Sequence, residues 1–433
     1  TLGECPCNHC FLCKRRALDL GRVSVHLIPI RLPCEEGQFI QNFQGDLGVF
    51  GTDDKLSLIV DAVGVTCRRE GSSRNDDVSS CAVIAFQGAE TVTVPLDRIR
   101  AVSADIAVFD YYVSRFGSDS GGADAGEHVK SSVDEKTGIP IWSLYDGGSQ
   151  RPSQQTMQAF DLLIVDMQDV GLRFYTYYIT MLRMIDACAD AGHKVIILDR
   201  PNPNGHHVDG PVLDMKYKSG VGALPIPVLH GLPIPVVHGL TMGEIALMSR
   251  GEGWCKPCDI EVVPCEGYTH QTRYVLPIAP SPNLPTQHSI YLYPSVCLFE
   301  GTVCSLGRGT EHPFECYGHP DYSGGDFTFT PRSMAGAKNP PLKDRLCHGR
   351  DLRGIDDETI ISRGLDLEYV IDAYRNLSLG EAFFTPMFEK LIGVDYVRKM
   401  IIEGCTAEEI RAEWQPDVER FRQLRRKYLL YDE

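Results

Sequence analysis

The sequence has no apolar run long enough to span a bilayer and no surplus of basic residues. Its 42 lysines and arginines are outnumbered by 58 aspartates and glutamates, which gives a formal net charge of -16 at pH 7. A transmembrane helix needs about 20 predominantly apolar residues, and a nucleic-acid interface needs clustered basic residues. We therefore expect no membrane span and no nucleic-acid partner. An anionic ligand would have to be held by one or two local arginines.

Several motifs of cofactor binding and catalysis are also missing. No G-x-G-x-x-G or Walker lysine loop follows a predicted strand, so a nucleotide or phosphate cradle is not indicated. The sequence has no G-x-S-x-G elbow, no H-E-x-x-H pair and no papain-like cysteine signature. These absences argue against serine hydrolase, zincin and papain-like chemistry. They leave chemistry based on carboxylates and amides, together with aromatic rings.

The N-terminus shows no basic-then-apolar leader, so we expect an export signal to be either absent or already removed. Four of the 16 cysteines, Cys5, Cys7, Cys10 and Cys13, surround His9. Such close spacing can build a metal site, but no second distant cluster accompanies it. We favour a poorly ordered or disulfide-bearing tail and predict no bound metal.

Short apolar runs are the clearest structural signal in the chain. Several of them are unbroken rather than alternating, which is typical of strands buried on both faces of a parallel sheet. Residues 161–199 read as a strand over 161–166, a helix over about 172–191 that ends at Gly192, and a second strand over 194–198. This pattern predicts a right-handed βαβ unit.

The chain length of 433 residues favours more than one domain. Prolines and glycines become frequent beyond about residue 270. We therefore predict a divergent cysteine-rich segment over residues 1–45, a Rossmann-like α/β domain over 46–270 and a smaller α+β domain over 271–433. The predicted fold class is α/β, a parallel sheet followed by an α+β domain.

An eight-residue segment is duplicated in tandem, as Leu224–Gly231 and Leu232–Gly239, and only one copy can occupy a given structural position. Downstream, Thr241 and Glu244 have the T-x-x-E spacing of a helix capping box. We therefore interpret Glu244 as a cap rather than a catalyst. The same spacing, with the same prediction, recurs at Ser378 with Glu381 and at Thr406 with Glu409.

Four groups of polar side chains are candidates for a site. They are Asp166, Gln168, Asp169, Arg173 and Tyr175; Asp199, Arg200, Asn202 and Asn204; His230 or His238; and Glu300, Arg308, Glu311, His312 and Glu315. Each also has a structural interpretation, such as an Asp–Arg pair that fixes a turn, turn-forming Asn and Pro residues, or a simply hydrogen-bonded histidine. The last group is the most site-like because its glycines allow close approach and its arginine can bind a carboxylate.

The first two groups follow neighbouring predicted strands. In open α/β sheets ligands bind beyond the carboxyl ends of the strands. Carboxylates, amides and aromatic rings suit a sugar, because acids act on the glycosidic oxygen, amides bind hydroxyls and rings pack on the apolar sugar face. The sequence therefore predicts a carbohydrate site at this edge.

The motifs "VDMQDVGLRFYTY", "LDRPNPNG", "PIPVVHGLTMGE", "PSPNLP", "LFEGT", "GRGTEHPFE" and "KYLLY" resemble, in this order, the exo-β-N-acetylmuramidase family of bacterial peptidoglycan-recycling glycosidases. The resemblance covers residues 123–433. It implies a Rossmann-like domain, a smaller C-terminal domain and a cleft between them. It also implies hydrolytic release of N-acetylmuramic acid from the non-reducing end of peptidoglycan fragments, without metal or nucleotide, in the periplasm or at the cell surface.

The resemblance assigns substrate-binding roles residue by residue. The residues that fall on family motifs are Gln168, Arg173, Tyr175, Asp199, Arg200, Asn202, His238, Asn283, Arg308 and Glu311, together with the carboxylates Asp169 and Glu300. His238 is the histidine of the tandem copies that is in register with Thr241 and Glu244. Because muramic acid carries a lactyl carboxylate, Arg308 or Arg173 is the expected anion-binding residue.

One family motif is missing. The family has a Pro-Glu-His-Gly stretch shortly before "AGE", and its glutamate is the favoured catalytic acid. A glycosidase needs two carboxylates, about 5 Å apart for retention or about 6.5 to 9.5 Å apart for inversion. We predict that Asp169 pairs with Glu127, Asp110 or Glu300, and we prefer Glu127 because it lies in the matching "AGE". The alternative is a sugar-binding protein that kept the fold and lost the acid.

Overall fold

The computed structural model describes residues 152–221, 231–334 and 336–433 in full, and before residue 152 it describes only the backbone of ten short strands. The chain forms two compact units. One comprises Thr1–Ala101, Ser132–Trp142 and Gln158–Asp161, and the other comprises Val102–Ser131, Ser143–Met157 and Leu162–Glu433. Both sides of the boundary predicted near residue 270 belong to the second unit, and that boundary remains a prediction. The cysteine cluster at Cys5 to Cys13 lies outside the described residues.

The ten upstream strands pair mainly antiparallel. They are β1 (Leu18–Asp19), β2 (Ser24–Val25), β3 (Gly48–Val49), β4 (Lys55–Asp61), β5 (Gly64–Arg69), β6 (Cys81–Phe86), β7 (Thr91–Val94), β8 (Ala101–Ser103), β9 (Ser132–Val133) and β10 (Pro140–Ser143). The first seven form one sheet of order β1-β2-β7-β6-β4-β3 with β5 on β4, and the others form a sheet of order β8-β10-β9. Among the upstream strand pairs whose direction the structure describes, β4 and β6 are parallel, as predicted for these apolar runs, and the others are antiparallel.

A parallel sheet begins the fully described part of the second unit. Its strands are β11 (Leu162–Val165), β12 (Lys194–Leu198) and β13 (Ile260–Val263), in the order β11-β12-β13. The helix Tyr177–Ala191 connects β11 to β12 and ends at Gly192, which has a φ of 72°. The predicted βαβ unit and its glycine stop are therefore confirmed.

This helix begins five residues later than the sequence predicts. The preceding segment is held instead by β-type contacts with the downstream copy of the tandem repeat. Leu172 forms an antiparallel bridge with Val237, and the Arg173 N–H donates to the Val236 carbonyl oxygen at 2.8 Å. Beyond this bridge the chain turns, with the Tyr175 N–H donating to the Leu172 carbonyl oxygen at 2.9 Å, and the helix begins at Tyr177 with Thr176 as its N-cap.

The described helices are α1 (Gln154–Gln158), α2 (Tyr177–Ala191), α3 (Met242–Gly251), α4 (Gln287–Val296), α5 (Asp357–Arg363), α6 (Glu368–Leu377), α7 (Met387–Ile392), α8 (Tyr396–Glu403) and α9 (Ala407–Arg425). The capping boxes predicted at Thr241 and Thr406 are confirmed at the starts of α3 and α9. The box predicted at Ser378 is wrong. Ser378 instead ends α6 in a left-handed conformation, and its hydroxyl donates to the Arg375 carbonyl oxygen.

An antiparallel sheet completes the second unit. Its strands are β14 (Cys316–His319), β15 (Phe327–Phe329) and β16 (Cys347–Asp351), in the order β14-β16-β15. Helices α5 to α9 follow it, so the predicted α/β class with an α+β C-terminal part is confirmed. Within the described residues, no helix combines the length and the apolar character that a bilayer crossing requires.

Candidate functional site

The loops that follow β11 and β12 join each other, as expected for neighbouring parallel strands. Asp166 and Arg200 form an ion pair with a 2.6 Å Nε–Oδ1 distance, and their side chains are only 10% and 9% exposed. The Gln168 amide donates to the carbonyl oxygens of Asp169 and Pro201, both at 2.8 Å. The two strand-end groups predicted from sequence are therefore one structural unit.

Gly171 allows the two loops to approach this closely. Its φ is 81°, and a Cβ atom placed on it would lie 2.3 Å from the Asn202 side-chain oxygen. The Asn202 amide donates to the Leu240 carbonyl oxygen at 3.0 Å, and its oxygen accepts the Asn204 N–H at 2.8 Å. Asn202 therefore occupies a fixed position against a residue that must be glycine.

We expect Gly171→Ala to destabilise the protein by about 3 kcal/mol, from left-handed backbone strain together with overpacking. Chemical denaturation followed by far-UV circular dichroism measures this. Gly192→Ala is the matched control, since Gly192 has a φ of 72° but no neighbouring atom within 4 Å of the place that a Cβ would take. The control should cost only about 1 kcal/mol. Equal losses in the two variants would show that contact with Asn202 is unimportant.

Asp169 is a buried carboxyl group with one unoccupied oxygen. The residue is 6% exposed, and its Oδ1 accepts the Gly171 N–H at 2.7 Å. Its Oδ2 is buried and has no hydrogen-bond partner among the residues that the structure describes. Burial raises the pKa of Asp169 to about 7, although backbone N–H groups, among them that of Gly171, act in the opposite direction. The group can therefore carry a proton near neutral pH, as a general acid must.

Arg173 is fully buried and bonded to the protein's own backbone. Its guanidinium donates to the carbonyl oxygens of Pro211 at 2.8 Å, Ile234 at 2.9 Å and Leu391 at 2.9 Å. Burial lowers its pKa to about 10, so the side chain stays charged at neutral pH. It joins three segments of the second unit and has no exposed surface to offer an anion. The geometry favours a structural role over the predicted anion-binding role.

His238 lies in the downstream repeat copy, next to the Gly171 turn. Its backbone N–H donates to the Gly171 carbonyl oxygen at 3.3 Å, and its Nδ1 accepts the Leu240 N–H at 3.2 Å. Burial, together with the charges of Arg425 and Arg173, lowers its pKa to about 3. His238 is therefore a neutral imidazole with a buried, unpartnered Nε2. His230, in the upstream copy, lies outside the described residues.

Asp199 is bound from three sides within the protein. Its Oδ2 accepts the hydroxyls of Thr241 at 2.6 Å and Tyr431 at 2.7 Å, and its Oδ1 accepts the Gly243 N–H at 2.8 Å. Burial raises the pKa of Asp199 to about 6. These contacts connect the end of β12 with the start of α3 and with the C-terminal segment, which favours a structural role over the predicted substrate contact.

Glu244, beside this group, is a helix cap that also binds the C-terminal segment. Its Oε2 accepts the Thr241 N–H and its Oε1 accepts the Leu430 N–H, both at 2.9 Å. His270 Nε2 lies 3.0 Å from the same Oε1. The sequence predicted the cap but gave no signal for His270, a lone histidine outside every motif.

We expect Tyr431→Phe to lower the free energy of unfolding by about 2 kcal/mol, because it removes a hydrogen bond to a buried carboxylate. It also leaves the Cys265 N–H, which donates to the Tyr431 oxygen at 2.9 Å, without an acceptor. Tyr428→Phe is the control, since its hydroxyl bonds the more exposed Glu252. Urea denaturation should show a clearly smaller loss for the control; similar losses would contradict this assignment.

A row of aromatic rings extends from the Asp169 loop. The Tyr175 and Tyr293 rings meet edge to face at 6.2 Å, and the rings of Tyr293 and Phe314 do so at 4.9 Å. The guanidinium of Arg308 lies over the Phe314 ring at 5.0 Å. Tyr175 is anchored by a 2.8 Å hydrogen bond from its hydroxyl to the Pro280 carbonyl oxygen. This row connects the strand-end group with the glycine-rich group.

Arg308 and Glu300 form a partly exposed ion pair at the far end of this row. Glu300 Oε1 accepts from Arg308 Nε at 3.1 Å and from Nη2 at 2.6 Å. Their side chains are 28% and 30% exposed. A ligand can reach this pair, but the positive charge is already balanced by Glu300.

The remaining predicted residues lie apart from this row or outside the described residues. Asn283 donates to the Gly336 carbonyl oxygen at 2.9 Å, which fixes a loop. Glu311 is exposed. Glu127 and Asp110 lie outside the described residues. Tyr293 was missed, and the only signal for it was the aromatic repeat Tyr291–Leu292–Tyr293 before Pro294. Within the described part of the chain, no His, Cys, Asp and Glu cluster is arranged to hold a metal ion.

Two family models match the chain in succession. The model described as Exo-beta-N-acetylmuramidase NamZ, N-terminal, matches residues 113–288, and its C-terminal counterpart matches residues 291–431. Peptidoglycan beta-N-acetylmuramidase NamZ of Bacillus subtilis (strain 168) is 36% identical over 330 residues, which cover 72% of this chain and 77% of that protein.

Two solved structures are also similar, both crystal structures of DUF1343 family proteins from Bacteroides fragilis NCTC 9343. One is 60% identical with a TM-score of 0.65, covering 70% of this chain and 82% of that chain. The other is 26% identical with a TM-score of 0.57, covering 72% and 84%. Together with the two consecutive model matches, these similarities show that the chain belongs to the NamZ exo-β-N-acetylmuramidase family of glycosidases.

Proposed function

We propose that the protein is an exo-acting glycoside hydrolase that releases N-acetylmuramic acid from the non-reducing end of peptidoglycan fragments. The support is its family membership and its similarity to a Bacillus subtilis protein named as a peptidoglycan beta-N-acetylmuramidase. Aromatic, carboxyl and amide groups around the strand ends are the groups that bind and cleave a glycoside.

The single observation that carries the proposal is the state of Asp169. Glycoside cleavage needs an acid that is protonated near neutral pH and gives its proton to the leaving-group oxygen. Burial raises the pKa of Asp169 to about 7, and its Oδ2 has no partner in the described part of the chain. In this proposal Asp169 gives its proton to the glycosidic oxygen as the bond to the anomeric carbon breaks. A second carboxylate, Glu127 or Glu300, stands on the other side of the sugar, either to activate the attacking water or to form a glycosyl intermediate that water then hydrolyses.

A second function is favoured by the missing Pro-Glu-His-Gly motif. If that glutamate supplies an indispensable group in the family, this chain binds a muramic acid sugar without cleaving it.

A chromogenic β-glycoside of N-acetylmuramic acid separates the two functions. Release of the chromophore, and of N-acetylmuramic acid from the disaccharide with N-acetylglucosamine, supports the hydrolase. Tight binding of the disaccharide without release over hours supports the binding protein. Cleavage inside a longer glycan, rather than from its non-reducing end, would contradict the exo-acting assignment.

The proposed substrate also implies a location. We place the protein in the periplasm or at the cell surface, where peptidoglycan fragments arise. Detection of the full-length protein in a periplasmic or surface fraction, separated from a cytoplasmic marker, supports this location; recovery solely with the cytoplasmic marker contradicts it.

A further inference from the structure

Among the described residues near the strand-end loops, Arg273 is an arginine without an acidic partner. Arg173 is bonded to three carbonyl oxygens, and Arg308 is neutralised by Glu300. Arg273 is exposed, and within the described residues no hydrogen bond or ion pair engages its side chain. A muramic acid sugar carries a carboxylate, so a glycosidase that acts on it gains specificity from a guanidinium free to bind that group.

His206, close to Arg273, has two buried ring nitrogens, and neither has a hydrogen-bond partner among the described residues. Its ring lies 5.0 Å from the His207 ring and 6.4 Å from the Tyr291 ring. Burial, with contributions from His207 and Arg273, lowers its pKa to about 3, so the imidazole is neutral. A buried neutral histidine that makes no internal hydrogen bond has an N–H available for an external acceptor.

Gln287 adds a second buried donor. Its Oε1 accepts the Leu276 N–H at 3.0 Å, and its buried Nε2 makes no well-formed hydrogen bond within the described residues, with the Tyr291 side chain beside it. The amide lies next to Tyr291, and the charge of Arg273 acts on the same tyrosine. We call His206, Arg273, Gln287 and Tyr291 the Arg273 cluster. It presents an excess of N–H donors, and the complementary ligand is an anion with several acceptor oxygens.

Asn204 connects this cluster with the Asp169 loop. Its amide donates to the Val170 carbonyl oxygen at 2.9 Å and to the Ile290 carbonyl oxygen at 3.4 Å. Val170 follows Asp169 directly, and Ile290 precedes Tyr291 in α4. One buried side chain therefore separates the proposed acid from the cluster.

We propose that the Arg273 cluster binds a carboxylate of the peptidoglycan fragment and so distinguishes muramic acid from its carboxylate-free counterpart, N-acetylglucosamine. The identity of this ligand rests on the proposed function. The guanidinium of Arg273 pairs with the carboxylate, and the N–H groups of Gln287 and His206 bind its oxygens. The carboxylate has two sources, the free lactyl group of the sugar or the end of a peptide attached to that group.

Calorimetric titration of the full chain tests this without requiring turnover. The probes are N-acetylmuramic acid, N-acetylglucosamine and N-acetylmuramic acid carrying a dipeptide on its lactyl group. Arg273→Gln should weaken binding of the carboxylate ligand about tenfold or more and leave N-acetylglucosamine binding unchanged. Gln287→Leu should act in the same direction to a smaller extent. Arg345→Gln, which removes an exposed arginine before β16, is the control and should change neither affinity.

The pattern across ligands identifies the carboxylate. A tenfold loss for free N-acetylmuramic acid alone assigns the cluster to the lactyl group, and a loss for the dipeptide ligand alone assigns it to the peptide end. Equal effects of Arg273→Gln on all three ligands, or none on any, would overturn the proposal. If the protein distinguishes the carboxylate ligands but cleaves no muramic acid glycoside, the cluster proposal holds and the hydrolase proposal is refuted. If the protein cleaves the glycoside and Arg273→Gln has no effect, the hydrolase proposal holds and the cluster proposal is refuted.

Discussion

Replacing Asp169 with asparagine is expected to lower kcat on the disaccharide of N-acetylmuramic acid and N-acetylglucosamine by about 10²- to 10⁴-fold, the usual contribution of a general acid. Asparagine keeps an oxygen for the Gly171 N–H but cannot deliver a proton. The loss should be much smaller on a nitrophenyl glycoside, whose leaving group needs little protonation. Steady-state kinetics on both substrates measures the difference.

The pH dependence gives an independent check. Activity of the unaltered protein on the disaccharide should fall as the pH rises through about 7, because the buried carboxyl group then loses its proton. Asp199→Asn is the comparison, since Asp199 is also buried with a raised pKa but has both oxygens occupied. Asp199→Asn should destabilise the protein. It should leave the ratio of the rates on the disaccharide and on the nitrophenyl glycoside as it is in the unaltered protein. Equal rate losses on both substrates in Asp169→Asn would exclude the acid role.

The free energy of unfolding should also depend on the protonation of Asp169. The folded-state pKa of Asp169, about 7, exceeds the ordinary value of 3.8, so folding favours the protonated form. The free energy of unfolding should therefore fall as the pH rises from about 4 to about 7, by linkage. Asp169→Asn should show a weaker decline over this range, measured by urea denaturation at several pH values.

Replacing Arg173 with methionine is expected to cost about 4 kcal/mol of stability, because three buried carbonyl oxygens lose their donors at once. Domains are stable by only about 5 to 15 kcal/mol. We therefore expect a large fall in the midpoint of thermal unfolding, measured by circular dichroism, and low soluble yield at 37 °C. Arg173→Lys keeps the charge but has fewer hydrogen-bond donors. Its stability should lie between that of the unaltered protein and that of Arg173→Met.

Arg308→Met is the matched comparison for stability. Arg308 is in a partly exposed pair with Glu300, and such pairs contribute at most about 1 kcal/mol. A similar loss in the two variants would show that the backbone contacts of Arg173 are not what holds the second unit together. A stable Arg173→Met variant with impaired sugar binding would restore the anion-binding role that the sequence predicts.

The parallel sheet and its polar edge are predictable from the sequence because their signals are local. Unbroken apolar runs define β11 and β12, Gly192 ends the helix between them, and polar residues follow each strand directly. The T-x-x-E spacing correctly identifies Glu244 as a cap because a capping box involves only four consecutive residues. The same spacing fails at Ser378, since Ser378 ends α6 and the short 3-10 helix that follows, Gly380–Phe383, has Leu379 as its N-cap.

The roles of individual polar residues are not predictable because they depend on distant partners. Arg173 and Asp199 look like ligand-binding groups in sequence, yet carbonyls up to 218 positions away and a hydroxyl 232 positions away bind them. Arg273 and His206 carry no motif signal, and only the fold reveals that their side chains have no hydrogen-bond partners in the described part of the chain. The aromatic row is similar, since Tyr175 and Tyr293 are far apart in the chain and meet only after folding.

The contacts of Tyr431 and Leu430 with Asp199 and Glu244 also constrain the order of events during synthesis. Both carboxylates leave the ribosome long before the segment that binds them, so the sheet edge stays incompletely paired through translation of more than 180 intervening residues. A nascent chain halted before residue 430 should therefore resemble a folding intermediate. In it the carboxylates of Asp199 and Glu244 are hydrated, whereas in the complete chain they are buried and bonded to the C-terminal segment.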